Sequence, residues 1–230
     1  MTIDIKKYNA AQACLEHVKD GMNVGIGSGS TVAIFIELLS KKIKEEKLNI
    51  ITVPTSYQVK ELLINNGIPI SSLDVHSDLD VAIDGADEID DNLNCIKGGG
   101  AALTQEKIVD SCTNTLIIIA DESKLVKNLG EKFAVPIEIL PMALPLVKKR
   151  LTTISKEFTL RMAQRKLGPV ISDNGNFIID IKISDLSKRN LESLEKEINN
   201  IPGVIENGLF VNMTKLAYIG LETGVKKLTK

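Results

Sequence analysis

The segment MNVGIGSGST, residues 22–31, is a short apolar run that ends in a turn rich in glycine and hydroxyl side chains. Apolar residues then recur at helical spacing from Val32 to Leu39. This order of patterns predicts a strand, a glycine turn and a helix. A strand joined to a helix in this way is the first half of a β-α-β unit, so the segment favours an α/β fold.

The same alternation continues through the first 130 residues. The predicted helices cover residues 5–19, 32–47, 57–65 and 103–112, and the predicted strands cover residues 22–26, 50–53, 68–70, 81–83 and 116–120. Buried strands that alternate with helices form a mostly parallel sheet covered on both faces. Ligands of such sheets bind beyond the carboxyl ends of the strands, so we expect the functional residues in the polar turns that follow them.

The pattern changes after residue 130. Strands are predicted at residues 133–140, 158–162, 177–183 and 204–211, and helices at residues 144–154 and 191–201. The order βαββαβ is typical of a ferredoxin-like unit. We therefore predict a Rossmann-like α/β domain of residues 1–131 plus 207–230, with an inserted ferredoxin-like α+β small domain of residues 132–206. A further apolar run at residues 216–219 predicts one more strand of the first sheet.

Composition excludes several classes of partner. The 230 residues carry 28 Lys and Arg against 30 Asp and Glu, and aromatic residues make up only 3% with no Trp. A near-neutral chain with few aromatic side chains has neither the charge nor the stacking surface of a nucleic-acid reader, so an anionic ligand should be small and held locally. With only two histidines, proton chemistry is expected to fall to Asp, Glu or Lys.

Cysteine usage and the first 20 residues predict the compartment. The three cysteines show no C-x-x-C spacing, which argues against a disulfide framework or a closed zinc site and favours a reducing cytoplasm. Charged residues interrupt residues 1–20, so we expect neither a signal peptide nor a membrane anchor there.

The turn after the first strand predicts a small phosphate pocket. Glycines and the start of a helix present backbone N–H groups to an anion, and Ser28, Gly29, Ser30 and Thr31 add hydroxyl donors and backbone freedom. The dinucleotide pattern fails, because Ser30 occupies the third glycine position and no acidic residue ends the next strand. A tight turn that only caps the helix is the alternative.

An acidic block follows the strand at residues 81–83. The block reads Asp84, Gly85, Ala86, Asp87 and Glu88, so carboxylates crowd at the carboxyl end of a strand. Crowding of like charges raises at least one pKa, which suits acid–base chemistry. A solvated acidic turn and a Mg²⁺ site are the two alternatives.

A lysine and three glycines come next, before a predicted helix. Lys97 would offer a cation to an oxyanion, and Gly98, Gly99 and Gly100 allow the backbone to approach a ligand closely. Glu106 lies on the helix that follows and, taken alone, is more simply an exposed helical charge.

These blocks, in this order and spacing, closely resemble ribose-5-phosphate isomerase of the A type. The resemblance extends to residues 121–124 and 133–138 and covers nearly the whole chain. It implies interconversion of D-ribose 5-phosphate and D-ribulose 5-phosphate through a cis-enediolate, in the non-oxidative pentose phosphate pathway, without a metal or other cofactor. It also implies a homodimer or homotetramer.

The resemblance assigns roles by position. Glu106 falls on the general base, and Asp84 and Asp87 fall on acidic positions linked to ring opening and proton shuttling. Lys97 and Lys124 fall on substrate-binding lysines, and Lys97 also belongs to the catalytic set. The remaining substrate-binding positions are Ser28, Gly29, Ser30, Thr31, Gly85, Ala86, Gly98, Gly99 and Gly100. One departure is Ser28, where threonine is expected more often.

Two other classes of function compete with the isomerase. A non-catalytic sugar-phosphate sensor of related fold would need an output module, and no basic helix-turn-helix segment or long linker is visible. A nicotinamide-dependent dehydrogenase is disfavoured by the incomplete glycine pattern and the missing ribose-binding acid.

Overall fold

A computed structural model describes residues 4–184 and 186–230. Residues 1–3, at the start of the first predicted domain, and Asp185, within the second, lie outside the described residues. The α-helices are α1 (Ile5–Cys14), α2 (Ser30–Glu46), α3 (Tyr57–Asn65), α4 (Leu103–Asp110), α5 (Leu144–Leu151) and α6 (Leu191–Asn199). The strands are β1 (Asn23–Ile26), β2 (Ile51–Pro54), β3 (Val81–Asp84), β4 (Glu88–Ile89), β5 (Cys95–Ile96), β6 (Leu116–Asp121), β7 (Val135–Ile139), β8 (Glu157–Leu160), β9 (Phe177–Lys182), β10 (Val204–Asn207), β11 (Leu209–Phe210), β12 (Thr214–Leu221) and β13 (Gly224–Thr229).

The main sheet has six strands in the order β13-β12-β6-β3-β1-β2. All of its pairings are parallel except that between β12 and β13. Helices α1, α2 and α3 contribute apolar side chains, with Phe35 among them, to a buried cluster with strand residues of one face. A second cluster, which includes Ala82 and Ile118, lies on the other face near Leu103 of α4. The predicted mostly parallel α/β sheet is confirmed.

The second sheet has four strands in the order β10-β7-β9-β8, and all its pairings are antiparallel. Helices α5 and α6 pack on it through buried aliphatic residues such as Val147, Leu151 and Ile198. This order of strands and helices is the ferredoxin-like arrangement that the sequence predicts. The division of the chain into domains at residues 131/132 and 206/207 stays a prediction.

Several element boundaries differ from those predicted. The first helix ends at Cys14, and a 3-10 turn follows it over Leu15–His17. Lys42 Nζ donates to the carbonyls of Leu15 and Val18, at 2.7 and 3.0 Å, and so satisfies groups that a longer helix would use. The predicted strand at 68–70 is reduced to a single bridge between Ile70 and Thr52.

The predicted strand at residues 204–211 is two strands, and they belong to different sheets. Gly208 separates them: its carbonyl accepts from the Lys97 backbone N–H at 3.0 Å, and its own N–H donates to the Pro136 carbonyl at 2.7 Å. A Cβ at this glycine would lie 2.3 Å from the Lys97 carbonyl oxygen. The short strand β11 then pairs with β5 in a small three-stranded sheet of order β11-β5-β4. Strand β5 ends directly before Lys97. The sequence analysis predicted neither this sheet nor β13.

Candidate active site

Four turns meet at the carboxyl edge of the parallel strands β1, β2, β3 and β6, where the sequence predicts a site. Together with the glycine segment before α4 they enclose a cleft of about 210 Å³. The cleft is lined by Ser28, Gly29, Ser30, Thr31, Ser56, Gln58, Gly85, Ala86, Asp87, Lys97, Gly98, Gly99, Gly100, Ala101, Ala102, Glu106, Ile119, Asp121, Lys124 and Asp173. Every predicted site residue except Asp84 is on this wall.

A buried ion cluster lies at the base of the cleft. The ammonium of Lys97 is 2.7 Å from Asp84 Oδ2 and 3.1 Å from Glu106 Oε2, and it donates to the Gly85 carbonyl at 2.8 Å. The three side chains are at most 6% exposed. Burial alone would lower the pKa of Lys97, but the facing carboxylates of Asp84 and Glu106 raise it above its usual range. The lysine therefore stays a cation inside the protein.

Asp84 lies behind the wall of the cleft, because it ends β3 and is fully buried. Its Oδ1 accepts from the backbone N–H groups of Ser28 and Gly85, at 2.9 and 2.6 Å. The position opposite must be glycine: a Cβ on Gly27 would lie 1.9 Å from Asp84 Oδ1. Gly27, in the turn after β1, thus leaves room for the carboxylate of Asp84 at the end of β3.

Glu106 lies in the first turn of α4 and is 5% exposed. Burial raises the pKa of this carboxyl to about 8, although the nearby Lys97 ammonium opposes the rise. Burial thus outweighs the ammonium at this carboxyl. A carboxylate with such a pKa, at the wall of a cleft, can accept a proton near neutral pH.

Asp87 holds the glycine segment in place. Its Oδ2 accepts from the Gly99 backbone N–H at 2.6 Å. Gly98 has a φ of +103°, and a Cβ there would lie 2.8 Å from the Leu103 Cβ. A tight turn of the chain therefore joins Lys97 to helix α4, which carries Glu106.

The N-terminus of α2 opens into the cleft. Gly29 is its N-cap residue and provides no side-chain hydrogen bond to the first turn, so the backbone N–H groups there are available to an anion. The Ser28 hydroxyl lies 2.9 Å from the hydroxyls of Thr55 and Ser56. Lys124 reaches the cleft with its ammonium 4.9 Å from the centre of the Phe133 ring.

Asp173, which the sequence did not identify as a site residue, reaches the cleft from the turn between β8 and β9. Its Oδ2 accepts from the Tyr57 backbone N–H at 2.8 Å, at the start of α3. The Asp-Asn-Gly-Asn sequence at 173–176 is typical of a hairpin turn and does not by itself indicate a site. No local pattern shows that this turn folds over a helix that begins 116 positions earlier in the sequence, so its place at the cleft could not be predicted.

Neither histidine is at the cleft. His17 contacts the Tyr218 hydroxyl at 2.9 Å, and His76 contacts the Ser71 hydroxyl at 2.8 Å. Among residues 4–184 and 186–230, no group of three or more His, Cys, Asp and Glu side chains is arranged to hold a metal ion. In the same part of the chain, no helix is long and apolar enough to cross a membrane.

Comparisons with known proteins decide the family. The family model described as ribose 5-phosphate isomerase A (phosphoriboisomerase A) matches residues 51–224. The chain belongs to this family. A ribose-5-phosphate isomerase A of Methanococcus aeolicus is 52% identical over 211 residues, which cover 91% of this chain and 89% of the relative.

Solved structures of the family agree with the fold described here. The ribose 5-phosphate isomerase A of Methanocaldococcus jannaschii superposes with a TM-score of 0.93 at 47% identity, covering 97% of this chain and 98% of that one. A D-ribose-5-phosphate isomerase in complex with phospho-erythronic acid gives a TM-score of 0.94 at 47% identity, with both chains fully covered. The resemblance noted in the sequence is therefore confirmed, and the chain is an isomerase. The roles of individual site residues stay predictions.

Proposed function

We propose that this chain interconverts D-ribose 5-phosphate and D-ribulose 5-phosphate by moving a proton between C2 and C1 through a cis-enediolate. Glu106 is the general base. The observation that carries the proposal is the buried Lys97–Glu106–Asp84 cluster, in which a carboxyl of raised pKa and a fixed ammonium open on one small cleft.

Each step has a group placed for it. Glu106 removes the proton from C2 of the open-chain aldose, the C2 hydroxyl proton passes to the C1 oxygen, and the same carboxyl then delivers a proton to C1, which leaves a ketone at C2 and a hydroxyl at C1. Developing negative charge on the enediolate oxygens is stabilised by the Lys97 cation and by the backbone N–H groups of Gly98 and Gly100. Asp87, on the wall, is placed to serve ring opening and the transfer of the hydroxyl proton, and Asp84 acts from beneath by holding Lys97.

The phosphate is assigned to the other end of the cleft. Free backbone N–H groups at the start of α2 and the hydroxyls of Ser30 and Thr31 suit an anion, and Lys124 adds a cation on the same wall. This placement leaves the base of the cleft to the reacting carbons. The near-neutral charge of the chain fits a ligand with one small phosphate.

The ligand of the related structure supports this assignment. Phospho-erythronic acid carries a phosphate at one end and a carboxylate at the other, and that relative binds it. A carboxylate is planar and shares its negative charge between two oxygens, and in this it resembles a cis-enediolate. A site that accepts both ends of such a molecule matches a cleft with an anion-binding helix end and a buried ammonium.

The direct test is to incubate the purified protein with ribose 5-phosphate and EDTA and to measure ribulose 5-phosphate. The proposal requires conversion that persists in EDTA. Binding without any conversion would favour the sugar-phosphate sensor, and conversion abolished by EDTA would exclude a mechanism that uses only this chain's side chains.

We also propose that the chain is a cytoplasmic homodimer or homotetramer. The support is the family resemblance, together with three free thiols and exposed apolar side chains such as Met142 and Leu146 on the segment before and within α5. Self-complementary apolar patches are the usual basis of such assemblies. Sedimentation of the purified protein that gives a monomer at micromolar concentration would contradict the oligomer.

A further inference from the structure

Asp110 is a fourth carboxyl group beside the ion cluster, and the mechanism above does not use it. It is the last residue of α4, one helical turn after Glu106, and is 2% exposed. Both of its carboxyl oxygens are buried, and neither has a hydrogen-bond donor among the residues that the structure describes. Its carboxyl interacts directly with that of Asp84.

The nearby donors are already committed. The Lys97 ammonium donates to the Gly85 carbonyl at 2.8 Å and pairs with Asp84 Oδ2 at 2.7 Å and Glu106 Oε2 at 3.1 Å. The two backbone N–H groups at Asp84 both go to its Oδ1. A charged Asp110 would therefore be a buried carboxylate without a donor or a counterion of its own, which is among the most unfavourable arrangements in a protein.

We propose that Asp110 is a neutral carboxylic acid that donates a hydrogen bond to the Asp84 carboxylate, and so acts as a positioning residue for the Asp84–Lys97 pair. One proton removes the unpaired charge from Asp110 and gives one of its two buried oxygens a hydrogen-bond partner in the Asp84 carboxylate. The direction of the Asp110 pKa agrees: burial raises it well above its ordinary value, and the Asp84 carboxylate raises it further. When Glu106 is in its basic form, the cluster then holds one ammonium, two carboxylates and one acid.

The role follows from what Asp84 does. Asp84 fixes the ammonium that faces Glu106, and its Oδ2 is the oxygen that touches Lys97. A neutral donor on Asp84 holds that oxygen in place without adding negative charge near the base. The positioning role rests on the proposed function, whereas the protonation state of Asp110 is independent of it.

Infrared spectroscopy tests the protonation state without any turnover. The spectrum of Glu106→Gln at neutral pH is compared with that of Glu106→Gln/Asp110→Asn, so that the Glu106 carboxyl contributes to neither. The proposal predicts that the C=O stretch of a protonated carboxyl is present in the first protein and absent from the second. Identical spectra in this region would overturn it.

Two variants of the otherwise wild-type chain test the positioning role. In Asp110→Asn the amide can donate to Asp84 as the acid does, so kcat should stay within about threefold of wild type and the acid limb of the kcat/KM profile should not move. If Asp110 were charged, this substitution would remove a negative charge beside Asp84, Glu106, Lys97 and Cys95, and the acid limb would shift to lower pH. Such a shift would overturn the proposal.

Asp110→Leu has nearly the same shape but cannot donate. We expect kcat to fall by at least about tenfold, because a hydrogen bond to a charged group is lost, while the midpoint of thermal unfolding does not fall. Wild-type kcat in a folded Asp110→Leu would overturn the positioning role. If this variant does not fold, the infrared spectrum and the pH profile of Asp110→Asn decide. Absence of isomerase activity in the wild type would refute the proposed function and leave the infrared result as it stands.

Discussion

Substitution of Gly27 by Ala tests whether the position of Asp84 matters for catalysis. The new Cβ would lie 1.9 Å from Asp84 Oδ1 and Cγ and 2.4 Å from Asp84 Cβ. Ordinary nonbonded separations are roughly 3.5–4.0 Å, so the carboxyl must retreat by about 1.5 Å. That movement breaks the hydrogen bond of 2.9 Å from Ser28 and alters the contact of 2.7 Å with Lys97.

The expected loss can be worked from this displacement. A misplacement of about 1 Å in a catalytic group costs about 100-fold in rate, which is about 2.7 kcal/mol in activation free energy. We therefore expect kcat/KM for ribose 5-phosphate to fall at least about 100-fold in Gly27→Ala. The assay is the rate of ribulose 5-phosphate formation, with circular dichroism and thermal unfolding to establish that the variant is folded.

A double-mutant cycle separates the clash from other effects. Asp84→Gly removes the atoms that the new methyl group strikes, so adding Gly27→Ala to it should cause little further loss of stability. A folded Gly27→Ala with kcat/KM within about threefold of wild type would refute the reasoning. Additive losses of stability in the double variant would show that the methyl group acts elsewhere.

Three further predictions concern the supports of the site. Glu138 is fully buried and accepts hydrogen bonds from the side chains of Thr104, Ser172, Asn174 and Asn176. Glu138→Leu should therefore lower the free energy of unfolding in urea by roughly 3–5 kcal/mol, and Glu138→Gln by only about 1–2 kcal/mol. Equal losses in the two variants would contradict a hydrogen-bonding role. Because Glu106 must be deprotonated to act as a base, kcat/KM should fall about tenfold per pH unit below its pKa of about 8, and a plateau down to about pH 5 would refute this. Lys124→Ala should raise KM about tenfold with a smaller change in kcat, whereas Lys127→Ala, an exposed lysine outside the cleft, is the matched control and should leave KM unchanged.

Local pattern was enough to predict the architecture and most of the wall of the cleft. Apolar runs followed by polar turns identified strands β1, β2, β3 and β6, and parallel strands bring such turns to one edge whatever the details of packing. For this reason, Ser28, Asp87 and Lys124 could be placed together although they are far apart in the chain. Residues in the turn directly after a parallel strand can therefore be placed at the site from local sequence alone.

The remaining features depend on contacts between distant segments. The burial of Glu106 and Asp110 results from the packing of α4 onto the sheet, which periodicity within α4 does not encode. Asp173 reaches the cleft only because its turn folds over α3, and Gly208 splits a predicted strand because the Lys97 segment crosses it closely. Such features require the tertiary structure.

The central claim is that Glu106 transfers the proton between C2 and C1. The most direct measurement is the incorporation of deuterium at C1 of ribulose 5-phosphate in D₂O, for the wild type and for Glu106→Gln. The account predicts that the wild type exchanges and turns over, while Glu106→Gln still binds the sugar phosphate but loses both exchange and most of kcat. Exchange by Glu106→Gln at the wild-type rate would contradict the assignment of Glu106 as the base.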